Sequence, residues 1–482
     1  MARASEEMGG VLKCPTGIKG LDEITMGGLP RGRPTLVCGG AGCGKTLMGM
    51  EFIIRGITEF GEPGVYMPFE ETSEELADNV ASLGMNVREL IRQNKLAIDY
   101  VHIERHQIEE TGEYDLEGLF VRLAAAIDGV GAKRVVLDTV EALFAALPNP
   151  AIVRAELRRL FRWLKEKKVT AIITGEKGQN QLTRHGLEEY VSDCVIFLDH
   201  RVDGQVATRR LRIVKYRGSL HGTNEYPTFI GEEGLSILPI SQIGLDYPVT
   251  NERVSTGIEA LDEMFGARGY YKASSVLITG SAGTGKSSIS AAFADGACRR
   301  GQKALYFSFE ESPEQIVRNM ASIGFDLGKW VKKGLLKFHV SRPTEYGLEA
   351  HLVRLHQAVE EFKPSAAVID PVTSMTSMGD PQQIKAMLTR LIDYLKMQGI
   401  TTVFTSLTRG GSPIEVTEAM VSSLMDTWVV LQNVGVDGER HRMIYVLKSR
   451  GMLHSSEVRR FLLTDDGIKI LNAEDNEGKQ NG

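Results

Sequence analysis

The chain has 482 residues, of which 42% are hydrophobic and 24% charged, so its composition is that of an ordinary globular protein and excludes an extensively disordered one. Its 56 lysines and arginines against 62 acidic residues give a net charge of −6, which excludes a uniformly basic nucleic-acid coat protein. Five cysteines without a CxxC pair favour reduced thiols and a cytoplasmic location, and no apolar run approaches the roughly 20 residues that span a bilayer.

The chain repeats itself, because five motifs of the first half recur in the same order in the second. They are TGIKGLDE (16–23) and TGIEALDE (256–263), GGAGCGKT (39–46) and GSAGTGKS (280–287), FEE (69–71 and 309–311), the aspartates Asp138 and Asp370, and KxRG (215–218 and 448–451). The separation between the two copies of each motif is far longer than the roughly 20–50 residues of a solenoid repeat. We therefore infer that a whole domain is duplicated. We expect domains at 12–245 and 246–471 and a disordered polar tail at 472–482.

Short apolar strands alternate with helices along each half. The strand candidates are 35–38, 65–69 and 135–137 in the first half, and 275–279, 304–309 and 367–369 in the second. Apolar residues at helical spacing from Leu157 to Leu164 predict a helix, and the capping-box patterns at 72–75 and 312–315 predict two helix starts. This alternation predicts an α/β fold of two tandem domains, each a mostly parallel sheet flanked by helices.

Two glycine-rich loops fit the phosphate-binding pattern GxxxxGK[ST]. They comprise Gly39, Gly40, Ala41, Gly42, Cys43, Gly44, Lys45 and Thr46 in the first half, and Gly280, Ser281, Ala282, Gly283, Thr284, Gly285, Lys286 and Ser287 in the second. Backbone N–H groups of such loops, and the helix that follows, bind phosphate oxygens. We therefore expect ATP in both halves, with the two lysines on its β- and γ-phosphates and Thr46 and Ser287 on Mg²⁺.

One aspartate in each half closes an apolar run. Asp138 and Asp370 would emerge at the carboxyl edge of the sheet, where α/β proteins bind their ligands. Beside a phosphate-binding loop this position predicts a second contribution to the Mg²⁺ site. The alternative is an ordinary loop aspartate.

Adjacent glutamates follow another strand of each half: Glu70–Glu71 and Glu310–Glu311. Two neighbouring carboxylates repel each other, which raises one pKa and suits a general base that polarises water or a hydroxyl. The alternative is a pair of acids favoured by the positive end of the following helix.

A basic pair lies late in each half: Lys215 with Arg217, and Lys448 with Arg450. With one residue between them, both side chains would leave the same face of a strand. They are candidates for contacts with ATP bound to a neighbouring subunit. The alternative is a solvated strand edge.

These motifs, in this order, resemble the KaiC family of ring ATPases from the cyanobacterial circadian oscillator. The resemblance covers residues 12–470 and implies two RecA-like domains, ATP and Mg²⁺ as cofactors, and a homohexamer. It implies that the first glutamate pair activates water in an N-terminal ATPase and that the second serves a C-terminal autokinase. It also implies that both basic pairs reach a neighbour's ATP.

The segment 416–427, VTEAMVSSLMDT, resembles the family's phosphoacceptor segment. Where the family usually has adjacent Ser and Thr, this chain has Ser422 and Ser423, and Thr417 occupies the position of a transient third acceptor. The corresponding segment of the first half, 186–194, offers Asp193 and no double hydroxyl. The resemblance thus implies hydrolysis in the first half and serine autokinase and autophosphatase activity in the second. Without it, the serine pair is typical of a turn or helix cap.

Partners and alternative functions follow from weaker signals. The segment after Leu471 is shorter than the KaiA-binding tail of the clock proteins, which favours a KaiA-independent relative. A KaiB-like partner of the first half stays open, with no motif of its own. A RecA-type DNA-dependent motor and a scaffold that ATP merely assembles also stay open. The net charge argues against nucleic acid as a partner, and two intact carboxylate sets argue against a scaffold.

Overall fold

A computed structural model describes most of the chain. The described residues are 10–101, 116–144, 150–178, 181–183, 192–203, 206–239, 249–345, 347–377, 381–408, 423–436 and 439–471. The chain divides into two compact units, Met1–Gln242 and Ile243–Gly482. The predicted tail at 472–482 lies outside the described residues.

The first unit contains eleven strands and seven helices in its described part. The strands are β1 (Lys13–Cys14), β2 (Leu29–Pro30), β3 (Pro34–Gly39), β4 (Gly64–Pro68), β5 (Leu96–Ile98), β6 (Arg134–Asp138), β7 (Thr170–Glu176), β8 (Cys194–Asp203), β9 (Val206–Tyr216), β10 (Glu225–Gly231) and β11 (Gly234–Ile237). The helices are α1 (Leu21–Ile24), α2 (Lys45–Phe60), α3 (Ser73–Ala81), α4 (Val87–Arg92), α5 (Glu117–Val130), α6 (Val140–Phe144) and α7 (Pro150–Glu166).

The second unit has the same series of strands and a closely similar series of helices. The strands are β12 (Arg253–Val254), β13 (Tyr270–Tyr271), β14 (Ser275–Gly280), β15 (Ala304–Ser308), β16 (Leu336–Val340), β17 (Ala366–Asp370), β18 (Thr401–Leu407), β19 (Thr427–Val436), β20 (Glu439–Ser449), β21 (Arg459–Thr464) and β22 (Gly467–Ile470). The helices are α8 (Glu259–Met264), α9 (Lys286–Arg299), α10 (Pro313–Ala321), α11 (Gly328–Lys332), α12 (Leu348–Phe362) and α13 (Pro381–Met397), with 3₁₀ turns at Pro343–Glu345 and Val372–Ser377.

Each unit is built on one large sheet, and the two sheets have the same topology. The strand order is β11-β10-β9-β8-β3-β7-β6-β4-β5 in the first unit and β22-β21-β20-β19-β14-β18-β17-β15-β16 in the second. The six strands that run from β8 to β5, or from β19 to β16, are parallel, and the remaining three pair antiparallel. The predicted α/β fold of two mostly parallel sheets flanked by helices is confirmed.

Local sequence chemistry explains these elements. Every residue of β3 and of β14 is buried, as expected for central strands covered on both faces. Both predicted capping boxes are present, from Thr72 to Glu75 at α3 and from Ser312 to Gln315 at α10. None of the five cysteines is in a disulfide. Among the described helices, none combines the length and the apolar character that crossing a bilayer requires.

Arg134 is a charged residue that lies wholly inside the core of the first unit. The Arg134 guanidinium is fully buried and donates to Glu62 (2.8 Å), to the carbonyl O of Phe52 (2.9 Å) and to that of Pro15 (2.7 Å). It also stacks over the Phe52 ring. At the corresponding position of β17 the second unit has Ala366, so this anchor belongs to the first unit alone.

We expect Arg134→Met to lower the free energy of unfolding of the first unit by about 3 kcal/mol, because it leaves buried acceptors without a donor. Urea unfolding followed by hydrogen exchange would assign the loss to that unit. Arg122→Met is the control, since Arg122 forms an exposed ion pair with Asp99 and should cost no more than about 1 kcal/mol. Equal effects of the two substitutions would contradict the anchoring role.

Candidate nucleotide-binding sites

Glycine shapes both phosphate-binding loops. Gly44 and Gly285 precede α2 and α9 with φ angles of 103° and 97°, which only glycine adopts readily. A Cβ on Gly39 would lie 2.4 Å from the carbonyl O of Leu198, so the neighbouring strand leaves no room for a side chain. Each loop therefore joins the carboxyl end of a central strand to the amino end of a long helix, where backbone N–H groups favour an anion.

The lysine of each loop folds back onto the loop's own carbonyl groups. The Lys45 Nζ donates to Gly39 O (2.9 Å) and Gly40 O (3.0 Å). The Lys286 Nζ donates in the same way to Gly280 O (2.7 Å) and Ser281 O (2.9 Å). Burial lowers the pKa of Lys286, and the charges of Asp370 and Glu310 act in the opposite direction. A phosphate would offer either ammonium a charged acceptor within the same loop.

The two strand-terminal aspartates are held by hydroxyl groups. Asp138 accepts from the Tyr66 hydroxyl (2.6 Å) through one carboxylate oxygen and from the Thr174 hydroxyl through the other. The Tyr66 oxygen also lies 3.5 Å from the carbonyl O of Thr46, which brings the aspartate to the start of α2. Burial raises the pKa of Tyr66, and the adjacent carboxylate raises it further, so the phenol stays a donor.

The second unit repeats this arrangement. Asp370 accepts from the Tyr306 hydroxyl (2.7 Å) and from the Thr405 hydroxyl. Neither tyrosine was among the predicted site residues. Both lie in predicted strands, and they are 240 residues apart, which is also the spacing between the two glutamate pairs. That shared spacing was the signal that could have identified them.

These oxygen donors fit Mg²⁺. In each unit two hydroxyl groups fix a carboxylate at the sheet edge where the loop begins, and hard oxygen ligands of this kind suit the ion. Thr46 and Asp138 would hold it in the first unit, and Ser287 and Asp370 in the second.

The outer glutamate of each predicted pair is exposed and accepts one hydroxyl. Glu70 accepts from the Thr139 hydroxyl (3.4 Å), and Glu310 accepts from the Ser374 hydroxyl (3.0 Å). Both hydroxyl donors follow the strand that ends in the aspartate, but they come from different positions in the two units. Each outer carboxylate is thus oriented toward the aspartate's edge of the sheet while keeping an exposed face.

The inner glutamate of each pair is partly buried and is fixed by an asparagine of the next helix. Asn79 donates to Glu71 (3.3 Å), and Asn319 donates to Glu311 (3.0 Å). Burial raises the pKa of Glu71, and the charge of Asp138 raises it further. The two glutamates of a pair are therefore inequivalent, one exposed and one anchored.

The basic pairs lie at the opposite edge of each sheet from the loops. Lys448 pairs with Trp428 near the start of β19, which runs parallel to β14. From Ser275 to Gly280, β14 rises about 16 Å. The basic pair and the phosphate-binding loop of one unit are therefore separated by roughly the length of that strand. Lys215 occupies the equivalent place beside β8.

The basic pairs lie where two strands end, and the shared strand face of their side chains stays a prediction. Lys215 and Lys448 belong to β9 and β20, which end at Tyr216 and Ser449, one residue before the arginine. The arginine N–H groups donate to the carbonyl O of an aspartate: Arg217 to Asp193 (2.9 Å) and Arg450 to Asp426 (2.8 Å). Left-handed turns at Gly218 and Gly451 follow the arginines, with φ of 76° and 71°.

Of the predicted phosphoacceptors, Ser423 lies in the described part of the chain, and Ser422 and Thr417 lie outside it. Ser423 is exposed, and its carbonyl O accepts from the Arg450 guanidinium (2.7 Å). The acceptor segment thus ends at the edge that carries the basic pair.

The strand register aligns the two segments that precede β8 and β19. Because Thr35 pairs with Cys194 and Val276 with Thr427, Asp193 corresponds to Asp426. By the same offset in the sequence, Ser422 and Ser423 correspond to Glu189 and Tyr190. The first half therefore has no double hydroxyl at this place, and the aspartate before the strand is common to both halves.

Comparison with known proteins points to one family across the whole chain. The family model described as "ATPase: KaiC" matches residues 14–242 and 254–475. The chain is 56% identical over 471 residues to the circadian clock protein KaiC2 of Synechocystis sp., covering 97% of this chain and 83% of that protein. It is 37% identical to the circadian clock oscillator protein KaiC of Parathermosynechococcus lividus, covering 96% and 86%, and 36% identical to that of Prochlorococcus marinus, covering 95% and 93%. The resemblance drawn from the motifs is confirmed.

We expect the intact chain to bind two nucleotides and the variants Lys45→Ala and Lys286→Ala to bind one each, because each ammonium serves its own loop. Titration with a fluorescent ATP analogue would give the stoichiometry. The matched control is Lys303→Ala, an exposed lysine that donates to the carbonyl O of Phe362 and should leave both sites intact. Two nucleotides on either loop variant would contradict the assignment of that loop.

We also expect hydrolysis by the first unit to fall on acidification at a pH above the ordinary glutamate pKa of about 4.3, because the raised pKa of Glu71 brings protonation earlier. The measurement is the pH profile of ADP release in the Lys286→Ala background. Asn79→Ala removes a hydrogen bond that favours the carboxylate, so it should move the midpoint still higher, whereas Asn319→Ala should not move it. A midpoint insensitive to Asn79 would contradict the role of Glu71.

Proposed function

Since the chain belongs to the KaiC family of ATPases, we propose that it works as a homohexameric, Mg·ATP-dependent ring ATPase with serine autokinase and autophosphatase activity. The observation that carries the proposal is the presence, in both units, of a loop lysine, a hydroxyl-anchored aspartate and a glutamate pair at one sheet edge. The named relatives are circadian clock proteins. A role in timing or signalling and a KaiB-like partner of the first unit belong to the same proposal.

In the first unit we propose ATP hydrolysis. Lys45 and the loop N–H groups would bind the β- and γ-phosphates, and Glu70 would accept the proton of the attacking water. Glu71, anchored by Asn79, would keep its neighbour in place through charge repulsion. Mg²⁺, when bound, neutralises charge on the β- and γ-phosphate oxygens.

In the second unit we propose phosphoryl transfer to a serine hydroxyl. The hydroxyl oxygen of Ser422 or Ser423 would bond to the γ-phosphorus, the bond to the β-phosphate oxygen would break, and ADP would leave. Glu310 would accept the hydroxyl proton. In dephosphorylation the bond between phosphorus and the serine oxygen would break. The phosphoryl group would return to ADP and regenerate ATP, or pass to water and leave as inorganic phosphate.

The separation of the two sheet edges supports transfer between subunits. Ser423 and its basic neighbour Arg450 lie at the amino edge of β19, about 16 Å along the sheet from their own loop at Gly280. A hydroxyl at that edge would accept from ATP held by the next copy in a ring. Lys448 and Arg450, with Lys215 and Arg217 in the first unit, would contact that same neighbouring nucleotide.

Two further proposals complete this assignment. The domain limits of 12–245 and 246–471 enclose one complete set of catalytic groups each. A cytoplasmic location agrees with five cysteines that form no disulfide, which is the usual state in a reducing compartment.

The experiment incubates the purified chain with Mg·ATP and follows ADP release and phosphopeptides in parallel. We expect Glu310→Gln to lower phosphate incorporation into 416–427 by about 10²–10⁴-fold, because it removes the proposed base, while hydrolysis by the first unit continues. Glu70→Gln is the matched variant and should have the opposite pattern. Undiminished phosphorylation of Glu310→Gln would refute the assigned base. ADP release with an unmodified peptide would refute the kinase, and stimulation by DNA would favour the motor instead.

A further inference from the structure

A lysine near the end of a long helix pairs with an aspartate just before a central strand in each unit. In the first unit Lys165, in the last turn of α7, lies 2.6 Å from Asp193. In the second unit Lys396, in the last turn of α13, lies 2.9 and 2.7 Å from the two carboxylate oxygens of Asp426. The Lys396 side chain is only 10% exposed. None of these four residues was predicted to take part in a site.

Asp426 joins the ends of three strands and a helix. Its carboxylate accepts from the N–H (2.9 Å) and hydroxyl (3.0 Å) of Ser275 at the start of β14 and from Lys396 on α13. Its own N–H donates to the Ser275 carbonyl O (2.9 Å), and its carbonyl O accepts from the N–H of Arg450 (2.8 Å). Together these contacts fix the position of Asp426 relative to the sheet.

Asp426 and its contacts form a junction between the strand ends and the helix. This junction holds groups that take part in the proposed phosphoryl transfer. Ser423 precedes Asp426 by three residues. The Arg450 guanidinium donates to the carbonyl O of Ser423 (2.7 Å). Burial lowers the pKa of Lys448, and the positive charges of Arg450 and Lys396 lower it further. The negative charge of the nearby Asp426 carboxylate acts in the opposite direction. The junction therefore fixes the positions of Ser423, Lys448 and Arg450 relative to one another.

We propose that Lys396 is a positioning residue for phosphoryl transfer in the second unit. By fixing Asp426, it places the acceptor serines and the Lys448–Arg450 pair against the ATP of a neighbouring subunit. In this arrangement Lys396 acts through Asp426. The inference rests on the proposed function and extends it to a residue on the far edge of the sheet from its own loop.

The first unit provides the matched control. Its Lys165–Asp193 pair occupies the same place in the fold, beside a segment without a serine pair. Asp193 also has Arg33 and Arg217 within 3.8 Å, so it keeps two other cations when Lys165 is lost. Lys165→Met thus removes an equivalent ion pair without touching the acceptor edge.

The first test compares Lys396→Met, Lys396→Arg and Lys165→Met in the full-length chain. We expect Lys396→Met to slow phosphate incorporation into 416–427 at least about tenfold, because small misplacements of reacting groups have effects of this size or larger. ATP stoichiometry and hydrolysis by the first unit should not change. Lys396→Arg should restore the rate, since it keeps a cation at the end of α13, and Lys165→Met should leave incorporation unchanged.

Loss of nucleotide from the second unit in Lys396→Met would overturn the proposal, because it would indicate a general structural role. Unchanged incorporation in Lys396→Met would also overturn it, while leaving the autokinase intact. If the unsubstituted chain incorporates no phosphate, the proposed function itself fails, so the two failures are distinguishable.

The second test mixes subunits and asks on which side of the boundary Lys396 acts. Lys396→Met chains are combined with isotope-labelled Lys286→Ala chains, which have an intact junction but a defective loop. We expect phosphate on the Lys286→Ala chains, because their well-placed serines face a working ATP site of the other variant. Phosphate on neither chain would place the effect of Lys396 at its own subunit's nucleotide and overturn the proposal.

Discussion

The parallel pairing of β14 with β18 and β19 is the constraint on which the chemistry of the second unit depends. Because parallel strands all end at one edge, the loop after Gly280 and the carboxylate of Asp370 meet there without any long connection. The same direction puts Ser275 and Asp426 at the other edge, about 16 Å away. The sheet thus separates the edge that carries the loop from the edge that carries Asp426, and β3 with β7 and β8 does the same for the loop and Asp193 in the first unit.

The duplicated fold keeps its sheet and changes the groups that support it. The hydroxyl on the outer glutamate comes from Thr139 in one unit and from Ser374 in the other, three residues further along the equivalent turn. The core of the first unit is tied together by Arg134, where the second has Ala366. Such exchanges leave strand order intact because each is satisfied locally by its own donors and acceptors. Division of labour between the units can therefore arise without any change of topology.

The features that were best predicted from the sequence are those that repeat as short, contiguous motifs. Both loops, the capping boxes and the strands that end in Asp138 and Asp370 depend on neighbours in the chain, so spacing alone was enough. The Tyr66–Asp138 and Lys396–Asp426 contacts join residues 72 and 30 positions apart, and no local pattern encodes such pairs.

The spacing between equivalent residues changes along the chain because the connections between elements differ in length. It is 241 at the loops and 233 at β8 and β19. The KxRG motifs already show the spacing of 233 in the sequence. The strand register then fixes which residues of the segments before β8 and β19 correspond.

The charges near Asp426 suit both the donor and the product of the proposed transfer. Lys396 pairs with the Asp426 carboxylate, and Lys448 has Arg450, Asp426 and Lys396 as its charged neighbours. A phosphoryl group arriving there brings about −1.5 to −2 charges, so it enters a region where cations are in excess. The same excess would attract the phosphates of a neighbour's ATP before transfer. In the proposed ring, a cluster that binds both the donor and the product would leave each active site incomplete until the next subunit is in place, and assembly would then be a condition for catalysis.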